Sequence, residues 1–303
     1  MSKRFSIRVP ATSANLGCLF DCAALAYSLY LNVHVTPHTA GKTEVSYRGI
    51  TPERIQMDES NLIARTIRET LDSWGKTRGF DLEIENNIPV GVGLGSSAAA
   101  IVAALATSHV LADRVLLDEE LIGLAAKLEG HPDNAAAAWL GGFTISTQAG
   151  DRVISLSCPV PERLKLMLVI PDYPLATEKS RQVLPESYSR ADSVHNLQRA
   201  AMTAAKFFSG MADLNRCLFD DRWHQPYRVP LIPGLSEVLN LRMPGLLGVC
   251  LSGAGPSILA LTKENGSAIG ESIRQTLSDH GVKAETTLLS ADNKGAKGWS
   301  LPG

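Results

Sequence analysis

Phe5, Ile7 and Val9 alternate with polar neighbours before Pro10, and Leu29, Leu31, Val33 and Val35 alternate again before Pro37. A two-residue period puts every second side chain on one face, so both stretches predict half-buried strands. The period then lengthens: Leu62, Ile63, Thr66, Ile67 and Leu71 share one face of a predicted helix over 61–74, which Asn61 can cap and Gly75 can stop. Phe80, Leu82 and Ile84 return to strand alternation, Asn86-Asn87 turns the chain, and Pro89 blocks further strand. A glycine-rich loop at 91–95 then opens an alanine-rich helix reaching Leu111. A second helix is predicted over 118–128, with Leu121, Leu124, Ala125 and Leu128 on one side, and it delivers Glu129 to its C-terminal end.

Between 141 and 161 the pattern loosens into Gly, Ser and Pro before an apolar strand at 164–170, which predicts two domains, 1–155 and 156–303. The second half reads as α+β, with helices over 193–211 and 268–278 and strands at 248–250, 258–261 and 283–289. The tail from Asp292 is rich in Gly, Lys and Asn and reads as a frayed end.

Composition narrows the function classes. At 303 residues, 45% apolar and 20% charged, the chain is long and apolar enough for a substantial core. Twenty-nine Lys and Arg against 31 Asp and Glu give a formal charge of -2, so no basic field exists to hold nucleic acid or an anionic membrane. The run 98–106 is far short of the roughly 20 residues a bilayer requires, and the N-terminus has no apolar segment of a signal peptide. Cys18, Cys22, Cys158, Cys217 and Cys250 are scattered without a CxxC pair, which fits reduced thiols in a cytoplasmic protein rather than a disulfide framework or zinc site. A homodimer is the base-rate expectation for assembly.

The strongest chemical signal is Pro89, Val90, Gly91, Val92, Gly93, Leu94, Gly95, Ser96, Ser97, Ala98 and Ala99. Alternating glycines let a backbone approach an anion closely, and the helix N-terminus behind them offers free N–H groups to a phosphate. Familiar nucleotide loops do not fit. The Walker pattern fails because Thr36 and Thr70 stand where its first glycine belongs, and the dinucleotide pattern fails because Ser96 replaces its third glycine. No HRD or DFG triplet of a protein kinase occurs either.

This loop resembles the phosphate-binding motif of the GHMP kinases. Three other segments share the resemblance: 10–17 followed by Phe20-Asp21, 129–134 (Glu-Gly-His-Pro-Asp-Asn) and 251–257 (Leu-Ser-Gly-Ala-Gly-Pro-Ser). Together they resemble the homoserine-phosphorylating branch of that family, with weaker patches around Arg181 and Arg228. The resemblance implies an α+β, two-domain GHMP kinase fold, its N-terminal domain ribosomal protein S5 domain 2-like and its C-terminal domain ferredoxin-like. It implies ATP and Mg²⁺, with Ser97 and Glu129 as metal ligands and residues 89–99 around the phosphates. It further implies that Asn15 and Asp21 hold the substrate ammonium, that Arg181 and Arg228 clamp its carboxylate, and that His131 and Asn134 orient its hydroxyl. On this reading L-homoserine and ATP are the small-molecule partners, and no general base is essential.

Two departures leave the substrate open. Leu19 stands where the branch has glycine, where its side chain is expected to narrow the pocket or re-aim Asp21, and Ala137 replaces a proline after Asp133-Asn134. Mevalonate, shikimate or another small alcohol, or a catalytically silent nucleotide binder, are the competing readings.

Overall fold

The computed structural model describes residues 4–39, 42–173, 175–210 and 213–299. Strands β1 (Phe5–Asn15) and β2 (Leu19–His38) form a long antiparallel pair in which Ile7 faces Val33 and Phe5 faces Val35. Then come β3 (Val45–Gly49), helix α1 (Leu62–Ser73), β4 (Gly79–Asn86), α2 (Ser96–Leu111), α3 (Asp118–Glu129), α4 (Asp133–Leu140), β5 (Phe143–Ala149) and β6 (Arg152–Cys158). The order across this sheet is β3-β4-β2-β5-β6, with β1 on β2. One half of β2 pairs with β4 and the other with β5, so this strand is the spine of the sheet.

The predicted helix caps hold. Asn61 Oδ1 accepts from the Ile63 amide at 2.9 Å and starts α1. Helix α2 is apolar nearly all round and is buried nearly all round, packed against α1, α3, α4 and β1. Its alanines are what let these elements approach closely, since they add core contact without bulk.

The second half contains β7 (Lys165–Pro171), α5 (Thr177–Gln182), α6 (Arg190–Phe208), α7 (Gln225–Arg228), α8 (Leu235–Leu239), β8 (Leu246–Leu251), β9 (Ile258–Thr262), α9 (Gly266–Asp279), β10 (Ala284–Leu289) and α10 (Gly295–Trp299). Its antiparallel sheet runs β10-β7-β9-β8, and Ile269, Ile273 and Leu277 of α9 are buried in its core.

Two expectations need correction, at 141–161 and in the tail. The stretch 141–161 is a β5–β6 hairpin of the first sheet, and β6 runs through position 155. Its Ser and Gly content hid strands whose outer face is exposed. Residues after Asp133-Asn134 form α4, since Ala135 to Ala138 continue in helix and are buried, so the absent proline leaves the helix uninterrupted. The tail is not frayed up to residue 299: buried Asp292 accepts from the Lys294 and Gly295 amides at 2.8 and 2.7 Å and from the Tyr30 hydroxyl at 2.8 Å, starting α10 on the first sheet. Residues 300–303 lie outside the described residues.

Candidate active site

The glycine loop is left-handed at every second position, with φ of 76° at Gly91, 84° at Gly93 and 69° at Gly95. A Cβ on Gly93 would lie 2.4 Å from Ser252 O, and one on Gly95 would lie 2.0 Å from Thr12 Oγ1, so conformation and packing both demand glycine. Gly95 caps α2 without any side-chain bond, which leaves the first-turn amides of a long buried helix directed at the loop. The loop is held from both sheets. The Ser252 hydroxyl donates to Gly93 O at 2.6 Å, the Ser257 amide donates to Val92 O at 3.2 Å, and the Thr12 amide donates to Leu94 O at 3.2 Å. The β8–β9 turn at 252–257 thus packs on the loop through the Ser252 hydroxyl and the Ser257 amide.

Ser97, at the start of α2, and Glu129, at the end of α3, come together: the hydroxyl donates to Glu129 Oε1 at 2.6 Å. Among the described residues no cluster of three or more His, Cys, Asp or Glu could hold a metal. Two hard oxygens beside a phosphate cradle fit Mg²⁺, which is commonly bound by one or two side-chain oxygens plus substrate phosphates, and would not by themselves make a zinc or calcium site.

The other end of the cleft is strongly ionic. Arg181 on α5 grips Asp21 with two bonds of 3.0 and 2.8 Å. Burial opposes the Arg181 charge, yet Asp21 outweighs it and holds the guanidinium pKa above its ordinary value. Asn15 is buried; its side-chain amide donates to Gly253 O at 2.9 Å while its Oδ1 accepts from the Asp21 amide at 2.9 Å. Asn15 therefore holds Asp21 in its left-handed backbone, φ 54°. Arg228 on α7 is buried and donates to Ser180 O and Gly253 O at 3.1 Å each. Burial, and then the neighbouring Arg181, push its pKa down to about 10, which still leaves it charged at neutral pH.

Between these ends, the Thr12 hydroxyl donates to Asn134 Oδ1 at 2.8 Å, fixing the amide so that Nδ2 is its donor end; one Nδ2 hydrogen reaches Asp133 Oδ1 at 3.3 Å and the second is left for another acceptor. Buried Asp133 accepts from the Asn134 amide at 2.6 Å and contacts His131 Nδ1 at 2.8 Å. Burial lowers the His131 pKa, but Asp133 more than compensates, and the net position is above the ordinary 6.5. One cavity of about 420 Å³ joins the ends, lined by Gly93, Ser97 and Glu129 on one side and by Asp21, Arg181 and Arg228 on the other.

Of the residues singled out in the sequence, Asn15, Asp21, Glu129, His131, Asn134, Arg181, Arg228 and most of the loop line this cavity, whereas Pro89, Val92, Ala98 and Ala99 are not among its lining residues. Sequence reasoning missed Thr12 and Asp133, although both lie inside motifs it quoted, and it missed Arg54, which donates to Val90 O at 2.8 Å and also lines the cavity. It also passed over the apolar end formed by Tyr47, Ile55 and Leu62, which the glycine loop adjoins. Leu19 does not narrow the pocket: its side chain is 2% exposed and packs in the first core.

Comparison with known proteins places this arrangement. The GHMP kinases N terminal domain matches residues 61–142, and the GHMP kinases C terminal domain matches residues 201–279. Homoserine kinase of Desulfitobacterium hafniense is 39% identical over 96% of this chain and 98% of that protein. The chain belongs to the GHMP kinase family. A second similar protein, homoserine kinase of Deinococcus radiodurans, is 41% identical over 88% of this chain and 87% of its own. The crystal structure of homoserine kinase from Cytophaga hutchinsonii superposes with a TM-score of 0.85 at 25% identity, covering 97% of both chains. The two-domain GHMP kinase fold expected from the sequence is thus the fold of this kinase.

Proposed function

We propose that this GHMP kinase transfers the γ-phosphoryl group of ATP to the side-chain hydroxyl of L-homoserine, giving O-phospho-L-homoserine, a step of threonine biosynthesis. The observation that carries this reading is the single cavity with a phosphate cradle at one end and, at the other, an anion beside two guanidinium groups. A zwitterion matches that second end: Asp21 suits its ammonium, and Arg181 with Arg228 suits its carboxylate through planar donors. An acid without an amine, such as mevalonate, would leave Asp21 with Arg181 as its cation and bring no ammonium to it, and the paired Ser97 and Glu129 argue against a silent binder.

In this reading residues 89–99 and the α2 amides hold the phosphates, with Ser96 beside them, while Ser97 and Glu129 hold Mg²⁺. The metal, when bound, neutralises charge on the phosphate oxygens. Asn134 offers Nδ2 to the substrate hydroxyl, Thr12 keeps that end turned the right way, and His131 sits alongside under the control of Asp133. Phosphoryl transfer through a loose transition state depends on alignment and charge neutralisation more than on a base, so no side chain needs to remove the proton before transfer. Cytoplasmic residence is part of the reading and is supported by five cysteines that are all free; so is a homodimer. Among the described residues no helix is long and apolar enough to cross a membrane.

ADP release with Mg-ATP across homoserine, mevalonate, shikimate, galactose and no acceptor tests the proposal. Homoserine dependence that weakens in Arg228→Ala, chiefly through KM, is expected. Equal turnover with mevalonate, or ADP release indifferent to the acceptor, would overturn it.

A further inference from the structure

His224 lies in no motif of the phosphate or metal site, and its sequence spacing, with no HExxH or paired histidine, reads as structural or solvated. The fold buries it completely beside the carboxylate clamp. Its Nε2 is 2.8 Å from Gly17 O, a group that can only accept, so Nε2 must carry the proton. Its Nδ1 is 2.9 Å from Arg228 Nη1, a group that can only donate, so Nδ1 must be bare. The two neighbours leave one possibility, a neutral ring protonated at Nε2.

This ring completes the fixing of Arg228. Nε of the guanidinium is spent on Ser180 O, and Nη1 on His224 Nδ1 and Gly253 O. Among the described residues Nη2 has no hydrogen-bond partner, and Arg228 lines the cavity. Phe20 packs the assembly together: the His224 ring stacks on it at 5.2 Å and 25°, while Arg228 lies 5.6 Å and Arg181 5.8 Å from its centroid. Asp221 holds the histidine from behind, accepting from the amides of Trp223, His224 and Gln225 at 2.9, 3.0 and 2.7 Å.

We infer that His224 is a positioning residue for substrate: as a neutral acceptor it locks Arg228 so that the Nη2 edge faces the carboxylate of the bound amino acid. This rests on the proposed function and deepens it. Protonation of His224 would remove the acceptor and set an imidazolium against a guanidinium. The charged groups facing it are Asp221 from its own segment, Arg228 on α7 and, across Phe20, Asp21 on β2 with Arg181 on α5. Burial and then Arg228 disfavour the charged ring and outweigh Asp221, so it titrates below the ordinary 6.5. The Cys18 and Cys250 thiols near the same turn are pushed up by burial and stay uncharged.

Two substitutions separate positioning from plain packing. Asparagine at 224 sets an amide oxygen near the place of Nδ1 and keeps the acceptor for Arg228; glutamine reaches toward Gly17 O and loses that acceptor. KM for homoserine is expected to rise about tenfold in His224→Gln and markedly less in His224→Asn, with kcat and KM for ATP little changed in both. The preference of the wild type for homoserine over aminopropanol, which lacks the carboxylate, should shrink in His224→Gln. A purely structural histidine would affect both variants and both substrates alike, and that result would overturn the inference. A wild type that treats the two alcohols alike would overturn the functional reading instead. Should the glutamine variant fail to fold, the wild-type pH profile decides: homoserine KM should climb below pH 6.5 without a parallel change for ATP, and a flat KM overturns the inference.

Discussion

A single methyl group on Gly93 tests how the phosphate cradle is built. In Gly93→Ala the new Cβ would meet Ser252 O at 2.4 Å and Gly255 O at 2.8 Å, both rigid backbone oxygens, in a residue with φ of 84°. The left-handed backbone alone costs an alanine about 1–2 kcal/mol. Relief of the contact means parting the loop from the β8–β9 turn, which loses the Ser252 hydroxyl bond to Gly93 O and the Ser257 amide bond to Val92 O, each worth ~1 kcal/mol. The total is about 3–4 kcal/mol of stability. Gly75→Ala supplies the control, since its φ of 64° carries the same strain with nothing within 4 Å. Urea unfolding should show Gly93→Ala losing about 2 kcal/mol more than Gly75→Ala. ATP titration should show KM for ATP raised at least tenfold in Gly93→Ala and unchanged in Gly75→Ala. If the two variants match in unfolding free energy and in ATP KM, the loop is not clamped as described and the reasoning fails.

Other predictions address the reacting groups. Glu129→Gln should lose most of kcat because it removes the charge beside the Ser97 hydroxyl, while His131→Ala should lose only part; steady-state kinetics at saturating substrate compares them, and an inactive His131→Ala would restore the case for a base. Thr12→Val keeps the side-chain shape but frees Asn134 Oδ1, so kcat should fall roughly tenfold with folding weakened by about 1–2 kcal/mol. Unchanged kcat would remove Thr12 from the site. The raised pKa of His131 means that its contact with Asp133 adds stability present in full below pH 6.5 and lost as pH rises through the folded value. His131→Asn should therefore destabilise more at pH 6 than at pH 9 in denaturant titrations, and equal losses would contradict the pairing.

Local chemistry was legible where one short segment carries its own requirement. The loop at 91–95 needs left-handed backbone and a following helix, and three glycines before an alanine run announce both; the Asn61 cap and the end of α3 at Glu129 are likewise written in a few consecutive residues. Periodicity did less for elements whose burial is set by distant neighbours. The β5–β6 hairpin and α10 depend on a chain that returns to the first sheet, where Asp292 meets Tyr30 across 262 positions of sequence.

The sequence by itself determined the glycines of the loop, because a left-handed backbone restricts the residue type, and it contained the serine, glutamate and oppositely charged residues to which the resemblance gave the proposed metal and substrate roles. Their relations were decided only by tertiary structure. Thr12 reaches Asn134 across 122 positions, Arg181 reaches Asp21 across 160, and His224 bridges Gly17 to Arg228, so their roles exist only once both sheets have packed around one cleft. No local pattern encodes such partners, since a hydrogen bond depends on where two atoms end up and not on how far apart they lie in the chain.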